Sequence, residues 1–116
     1  MGQYHKVFNL DKKQVLHPHK LGCGLKLWEF GTEGGVVTAL SYLLAASAGR
    51  GGGDWDKGGP LAGSWAGDRI AIIGDYADEK DVPGVDAKTL YSDEGYADIS
   101  EKVRAEFPEG IKSEAW

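Results

Sequence analysis

The densest concentration of reactive and ligand-binding residue types lies in Gly49-Arg50-Gly51-Gly52-Gly53-Asp54-Trp55-Asp56-Lys57-Gly58-Gly59, where six glycines surround an arginine, a lysine, two aspartates and a tryptophan. A glycine run can turn successive N–H groups toward an anion, an arginine can grip a phosphate through two parallel bonds, and an indole can stack on a base. A second cluster, Gly63-Ser64-Trp65-Ala66-Gly67-Asp68-Arg69-Ile70, crowds bulky, small and charged residues into a turn that feeds an apolar run. Together they predict a site for a small anionic, nucleotide-like molecule built from Arg50, Gly51, Gly52, Gly53, Trp55, Trp65, Asp68 and Arg69. Adjacent residues of a strand point to opposite faces, so Asp68 and Arg69 are expected to take separate partners. The structural alternative for both is to tie down loop backbone, because charges near a core must be hydrogen-bonded.

The established phosphate and metal patterns are absent. No G-x-x-x-x-G-K-[ST] occurs, no G-x-G-x-x-G follows a strand, and Asp54-x-Asp56 lacks the remaining ligands of a calcium loop. His17-Pro18-His19, if extended, sends both imidazoles to one side, where His5, Cys23 or a carboxylate would have to complete a zinc site; no paired C-x-x-C spacing supports one. His17 and His19 therefore stand as metal candidates without a full ligand set, and no cofactor is expected. Gly63-Ser64-Trp65-Ala66-Gly67 is offset from a G-x-S-x-G nucleophile elbow and precedes its strand instead of following it. With no catalytic residue to name, the chain reads as non-enzymatic, a metal-dependent hydrolase using His17, His19 and carboxylates being the third reading.

Composition narrows the partners. At 116 residues the chain fits one domain spanning 1–116, and 18 glycines exceed the usual frequency of ~7% about twofold, an excess that belongs to loops. A formal net charge of -5 argues against a nucleic acid polymer, whose binding draws on counterion release by a basic face. Cys23 is the lone cysteine and no signal-peptide pattern opens the chain, so a cytoplasmic location is expected. The charge-free stretch from Gly34 to Gly49 is too short and too polar to cross a bilayer, which predicts no membrane segment.

The elements that must position these residues follow from periodicity. Tyr4 to Leu10 and Gln14 to His17 carry a hairpin pattern around Asn9 and Asp11, and Leu25 to Phe30 alternates apolar and polar residues as a third strand. Thr32 and Glu33 sit where a helix cap and a dipole-compensating acid belong, and apolar positions 36, 40, 43 and 44, with Ser47 counted as a small buried residue, predict a main helix over about 34–48 with Gly49 just past its end. Its opposite face carries no charge, which predicts cover on both sides, by the sheet and by the glycine-rich loop or a second subunit. Arg69 to Tyr76 reads as a central strand, Asp78 to Glu94 as an exposed acidic excursion, and 99–107 as a short C-terminal helix capped by Asp98 or Ser100, with Glu101 completing an Asp98-x-x-Glu101 box. The predicted fold is α+β, a small antiparallel or mixed sheet of about four strands packed on one main helix, with apolar handles Ile111 and Trp116 favouring a homo-oligomer.

Met1-Gly2-Gln3-Tyr4, Val7 to Lys13, His17-Pro18-His19, Gly24-Leu25-Lys26-Leu27 and Trp65 to Ile70 give the first two thirds of the chain a set of motifs. In these it resembles a group of short uncharacterised proteins of bacteria, archaea and their phages. The resemblance brings no catalytic residue with it. By analogy with phage anti-defence proteins it suggests a module that binds or sequesters a nucleotide-like signal. The competing expectation is an inhibitor-like or immunity-like protein that uses the acidic segment Asp75 to Glu94 against a basic target.

Overall fold

The hairpin forms because Asn9 organises its turn. Its side-chain Oδ1 accepts from the amides of Asp11 (2.9 Å) and Lys12 (2.7 Å), and Lys13 closes the turn in the left-handed region at φ 55°. Strand β1 (His5–Asn9) thereby pairs antiparallel with β2 (Gln14–Leu16), with Val7 opposite Leu16 and Phe8 opposite Val15. All four side chains are fully buried, and their alternation drives Val7 and Leu16 into one apolar cluster and Phe8 and Val15 into another. The sheet is therefore covered on both faces.

The computed structural model describes residues 2–55 and 59–107. Asp56, Lys57 and Gly58, and the tail with Pro108, Gly110, Ile111 and Trp116, lie outside them. Among the described residues the sheet has four strands in the order β3-β1-β2-β4, mixed in direction, and the fold is α+β. Strand β3 (Ile70–Gly74) runs antiparallel to β1, and β4 (Ala97–Asp98) runs parallel to β2. The apolar run predicted as a central strand is thus an edge strand: β1 takes the centre, and Ile72 is left 45% exposed.

The predicted third strand is instead helix α1 (Leu27–Thr32). Alternation gives way here to local capping, in which the Glu29 carboxylate accepts from the Lys26 amide at 3.0 Å and anchors the first turn. Phe30 points into the core while Leu27 and Trp28 stay exposed. Thr32 closes this helix and does not cap the next, its hydroxyl donating to the Trp28 carbonyl (3.2 Å).

The main helix, α2 (Gly35–Leu44), is shorter at its C-terminal end than the spacing predicted. Its end is set by tertiary contact, since the amides of Gly63 and Trp65 donate to the carbonyls of Tyr42 and Leu43, both at 2.9 Å, and occupy the acceptors that another turn would need. Gly35 allows the helix to start hard against the 3-10 turn Pro18–Leu21, because a Cβ there would lie 2.1 Å from the Leu21 carbonyl oxygen. The predicted second cover on α2 comes in part from the same chain: the Trp55 indole N–H donates to Ser41 Oγ (3.0 Å), and the ring stands edge-on to Tyr42 and stacks on Phe107. Val37 remains half exposed.

The C-terminal helix α4 (Ser100–Ala105) is opened by Asp98, whose Oδ1 accepts from the Ser100 amide and hydroxyl (2.9 and 2.6 Å), with Glu101 taking no part. Ile99, Val103 and Phe107 fill the α2 side of the core at the predicted spacing of four. The acidic excursion also differs from expectation. It contains a short helix α3 (Ala87–Leu90), and its Val82, Ala87 and Leu90, with Tyr96 just beyond it, form the layer that buries Phe8 and Val15.

Candidate functional site

The eight residues predicted to share a site are distributed over three places. After α2 the chain turns so that the amides of Gly49, Arg50 and Gly51 converge on one oxygen, Asp54 Oδ2, at 3.2, 3.2 and 2.9 Å. The glycine run does cradle an anion, and that anion is the loop's own carboxylate. Gly53 permits this return by taking φ 85°. Beside the cradle a groove of about 230 Å³ is lined by Ser41, Ala45, Ser47, Ala48, Gly53, Asp54 and Trp55, with exposed Arg50 in the same loop. The far end of the segment is clasped by Tyr42, whose hydroxyl donates to Glu106 Oε1 (2.9 Å) and accepts from the Gly59 amide (3.1 Å). Burial and the neighbouring Glu106 carboxylate push the Tyr42 hydroxyl up to about 12, so it stays a donor at physiological pH.

Trp65 lies elsewhere, fully buried, with its indole N–H bonded to Gln14 Oε1 at 2.7 Å. No face of the ring is open to stack on a ligand, and its position makes it the link between the α2 terminus and the hairpin. Asp68 and Arg69 do take separate partners, as adjacent strand-entry residues must. Asp68 holds the Lys12 ammonium and the Asn9 amide (2.9 Å), which keep its carboxyl below the ordinary value. Arg69 bonds Asp11 through its amide (2.8 Å) and Nε (3.1 Å), lowering that carboxyl in the same way. Both contacts pin the hairpin turn to the start of β3.

The two histidines do not share an extended segment, because Pro18 begins a 3-10 turn and removes the period of two that would align them. His17 Nε2 lies 3.1 Å from Asp93 Oδ2, and His19 is exposed. Among the described residues no group of three or more His, Cys, Asp or Glu is placed to hold a metal. Cys23 is buried, its Sγ donating to the Glu29 carbonyl at 3.4 Å, and burial pushes its thiol up, away from a nucleophilic thiolate.

The larger concavities lie on the opposite face of the sheet. One groove of about 550 Å³ runs along Val85, Asp86, Leu90, Glu94 and Tyr96, and a second of about 470 Å³ along Glu79, Lys80, Val82 and Pro83; they adjoin at Val85 and Asp86. Between Asp75 and Glu94 the chain carries seven carboxylates against Lys80 and Lys88, an excess of five that equals the net charge of the entire protein. Among the described residues only Asp93 of these seven makes an ion pair, with Lys6 at 3.0 Å and with His17. Lys6 also donates to the Tyr91 carbonyl (2.9 Å) and sits 4.3 Å from the Tyr91 ring centre, so it braces the excursion against β1. The charge bias of this face was visible in the sequence. Its grooves were not, because the apolar residues that floor them follow no helical or strand period.

No helix among the described residues is long and apolar enough to cross a membrane. Compared with protein-family models, with curated proteins and with solved structures, the chain matches none.

Proposed function

We propose that the chain is a non-enzymatic interaction module that docks a basic partner protein on the acidic face between Asp75 and Glu94. The observation that carries this reading is the pair of adjoining grooves with an apolar floor (Val82, Val85, Leu90, Tyr96) and a rim of carboxylates, Glu79, Asp86 and Glu94, that make no ion pair among the described residues. Apolar anchors supply affinity in such a surface, while rim charges steer the encounter and reject acidic competitors. A nucleic acid strand would be repelled by the same rim. Asp78 and Glu79 are exposed and their carboxylates make no ion pair among the described residues, so reversing both to lysine should weaken capture of the partner about five- to tenfold without lowering the melting temperature. Capture should also fall as salt rises from roughly 0.05 to 0.5 M, because the screening length then shrinks below the width of the rim. A stoichiometric partner held equally by wild type and the Asp78→Lys, Glu79→Lys variant would contradict the reading.

A second reading is favoured by one specific feature, the three amides that converge on Asp54. A phosphate is an anion of the kind this cradle accepts, so a nucleotide-like signal that displaces Asp54 would find Arg50 and the Trp55 groove beside it. Thermal-shift screening with nucleotides and cyclic dinucleotides tests it: stabilisation lost in Arg50→Ala supports the cradle, and no shift in wild type or in Asp54→Ala counts against it.

A further inference from the structure

The sheet order leaves β3 with one neighbour, and its register with β1 specifies which backbone groups are unused. The bonds from the Leu10 amide to the Arg69 carbonyl and from the Asp75 amide to the Tyr4 carbonyl, both 2.9 Å, bracket an uninterrupted antiparallel register from Asn9 opposite Ile70 to His5 opposite Gly74. Bonded and non-bonded pairs alternate in such a ladder, so Arg69, Ala71, Ile73 and Asp75 face β1 while Ile70, Ile72 and Gly74 present their N–H and C=O groups to the open side. Of these only the Gly74 carbonyl has a partner among the described residues, the Ala77 amide at 3.1 Å. Proteins ordinarily guard such an edge with proline, lysine or a bulge, and Ile-Ala-Ile-Ile-Gly contains none of them.

We infer that this edge is a self-association surface, on which two copies of the chain pair β3 with β3 antiparallel about a two-fold axis at Ile72 and join two four-stranded sheets into one of eight. The strand is self-complementary in that register. Ile72 meets Ile72 in a bonded pair formed by outward-facing groups, Ile70 meets Gly74, and Arg69 of each copy comes opposite Asp75 of the other. Arg69 is 65% exposed with its Nε on Asp11, and Asp75 is exposed with its Oδ1 accepting from the Tyr4 amide, so the outer guanidinium nitrogens and Asp75 Oδ2 are the groups that meet across the axis, and the pairing is satisfied twice by symmetry. Moving the axis by one residue, to Ala71 or Ile73, places a non-bonded pair there and sets Arg69 opposite Ile73 or Ala77. Centring on Ile70 sets Arg69 opposite Ala71. The Ile72 register alone pairs the whole strand from Ile70 to Gly74 while uniting its open backbone groups with the opposite charges of Arg69 and Asp75. A five-residue ladder lies below the size of a standard stable interface, so the dimer is expected to dissociate in the micromolar range, on the order of 10⁻⁵ M. The inference does not rest on the acidic docking face, whose grooves are lined by residues from Glu79 to Tyr96 and with which it shares only Asp75.

Sedimentation velocity on the full chain over roughly 1 to 500 µM, together with thermal melts, tests this. Wild type should pass from monomer to dimer across that range. Ile72→Lys, which places two ammonium groups at the axis, should stay monomeric at every concentration while keeping its melting temperature. Arg69→Asp should raise the dissociation constant at least tenfold, and the swap Arg69→Asp with Asp75→Arg should recover most of it, an outcome that a merely structural role for Arg69 at Asp11 would not produce. A wild type that is monomeric throughout, a dimer indifferent to Ile72→Lys, or a folded charge-swap variant that fails to recover would each overturn the inference, the first pointing to a foreign strand as occupant of the edge.

Discussion

Trp65 gives the sharpest test of where the core is held together. Replacing it with Phe keeps an aromatic ring in place but removes the part of the indole that reaches Gln14 across to β2. About three ring atoms are lost, worth roughly 2 kcal/mol at ~0.8 kcal/mol for each buried carbon-sized group. The lost hydrogen bond adds about 1 kcal/mol, near the low end because Gln14 is only partly buried and its freed oxygen can reach water. The expected cost is therefore about 3 kcal/mol, a large share of the ~5–15 kcal/mol that holds a small domain folded. Urea denaturation reads it directly: at a slope of roughly 1–1.5 kcal/mol per molar, the midpoint should fall by about 2–3 M. Trp55→Phe is the control, since that ring is half-buried and keeps its stacking on Phe107; it should cost under about 1 kcal/mol. If Trp65→Phe lost less than Trp55→Phe, the assignment of Trp65 to the junction of helix and hairpin would be refuted, and a surface role for it would return.

Two further substitutions probe the frame of the fold. In Asp98→Asn the effect should depend on pH: burial raises this carboxyl, but the Lys20 ammonium at 2.6 Å and the Ser100 hydroxyl and amide outweigh it and hold it below the ordinary 3.8. A depressed carboxyl contributes above its unfolded value and loses that contribution as pH falls through the folded one, so melts should show Asp98→Asn about 1 kcal/mol less stable at pH 7 and equal to wild type near pH 2; a difference that persisted in acid would contradict the account. Gly35→Ala should cost 3 kcal/mol or more, roughly the upper range of overpacking, because the added Cβ meets backbone at Leu21 that cannot rotate away, and a variant as stable as wild type by chemical denaturation would show that α2 does not approach so closely.

Much of the frame was legible in the sequence for physical reasons that can be named. The hairpin announced itself because Val7, Phe8, Val15 and Leu16 alternate between two buried faces and Asn9 has the side chain that makes its turn. Helix α4 was legible from Ile99, Val103 and Phe107 at a spacing of four. Leu25 to Phe30 misled because alternation over six residues is outweighed by a single capping contact from Glu29. Strand β4, two residues long, exists only through its register with Gln14 and Val15, which nothing local encodes. Trp65, Asp68 and Arg69 looked like a binding cluster because glycines, an indole and opposite charges also make up a tight structural junction. Their partners, Gln14, Lys12, Asn9 and Asp11, lie more than fifty residues away along the chain. The acidic face was half legible: its charge is local, while its grooves depend on how Val82, Leu90 and Tyr96 settle on Phe8.

The claim that this face receives a basic partner is tested most directly by titrating isotope-labelled protein with an arginine- and lysine-rich peptide and mapping the amide shifts. The account predicts saturable shifts confined to the groove residues between Glu79 and Tyr96, diminished by added salt and saturating only at about five- to tenfold higher peptide concentration in the Asp78→Lys, Glu79→Lys variant. Shifts absent from those residues, or centred on Gly49 to Trp55 instead, would contradict it.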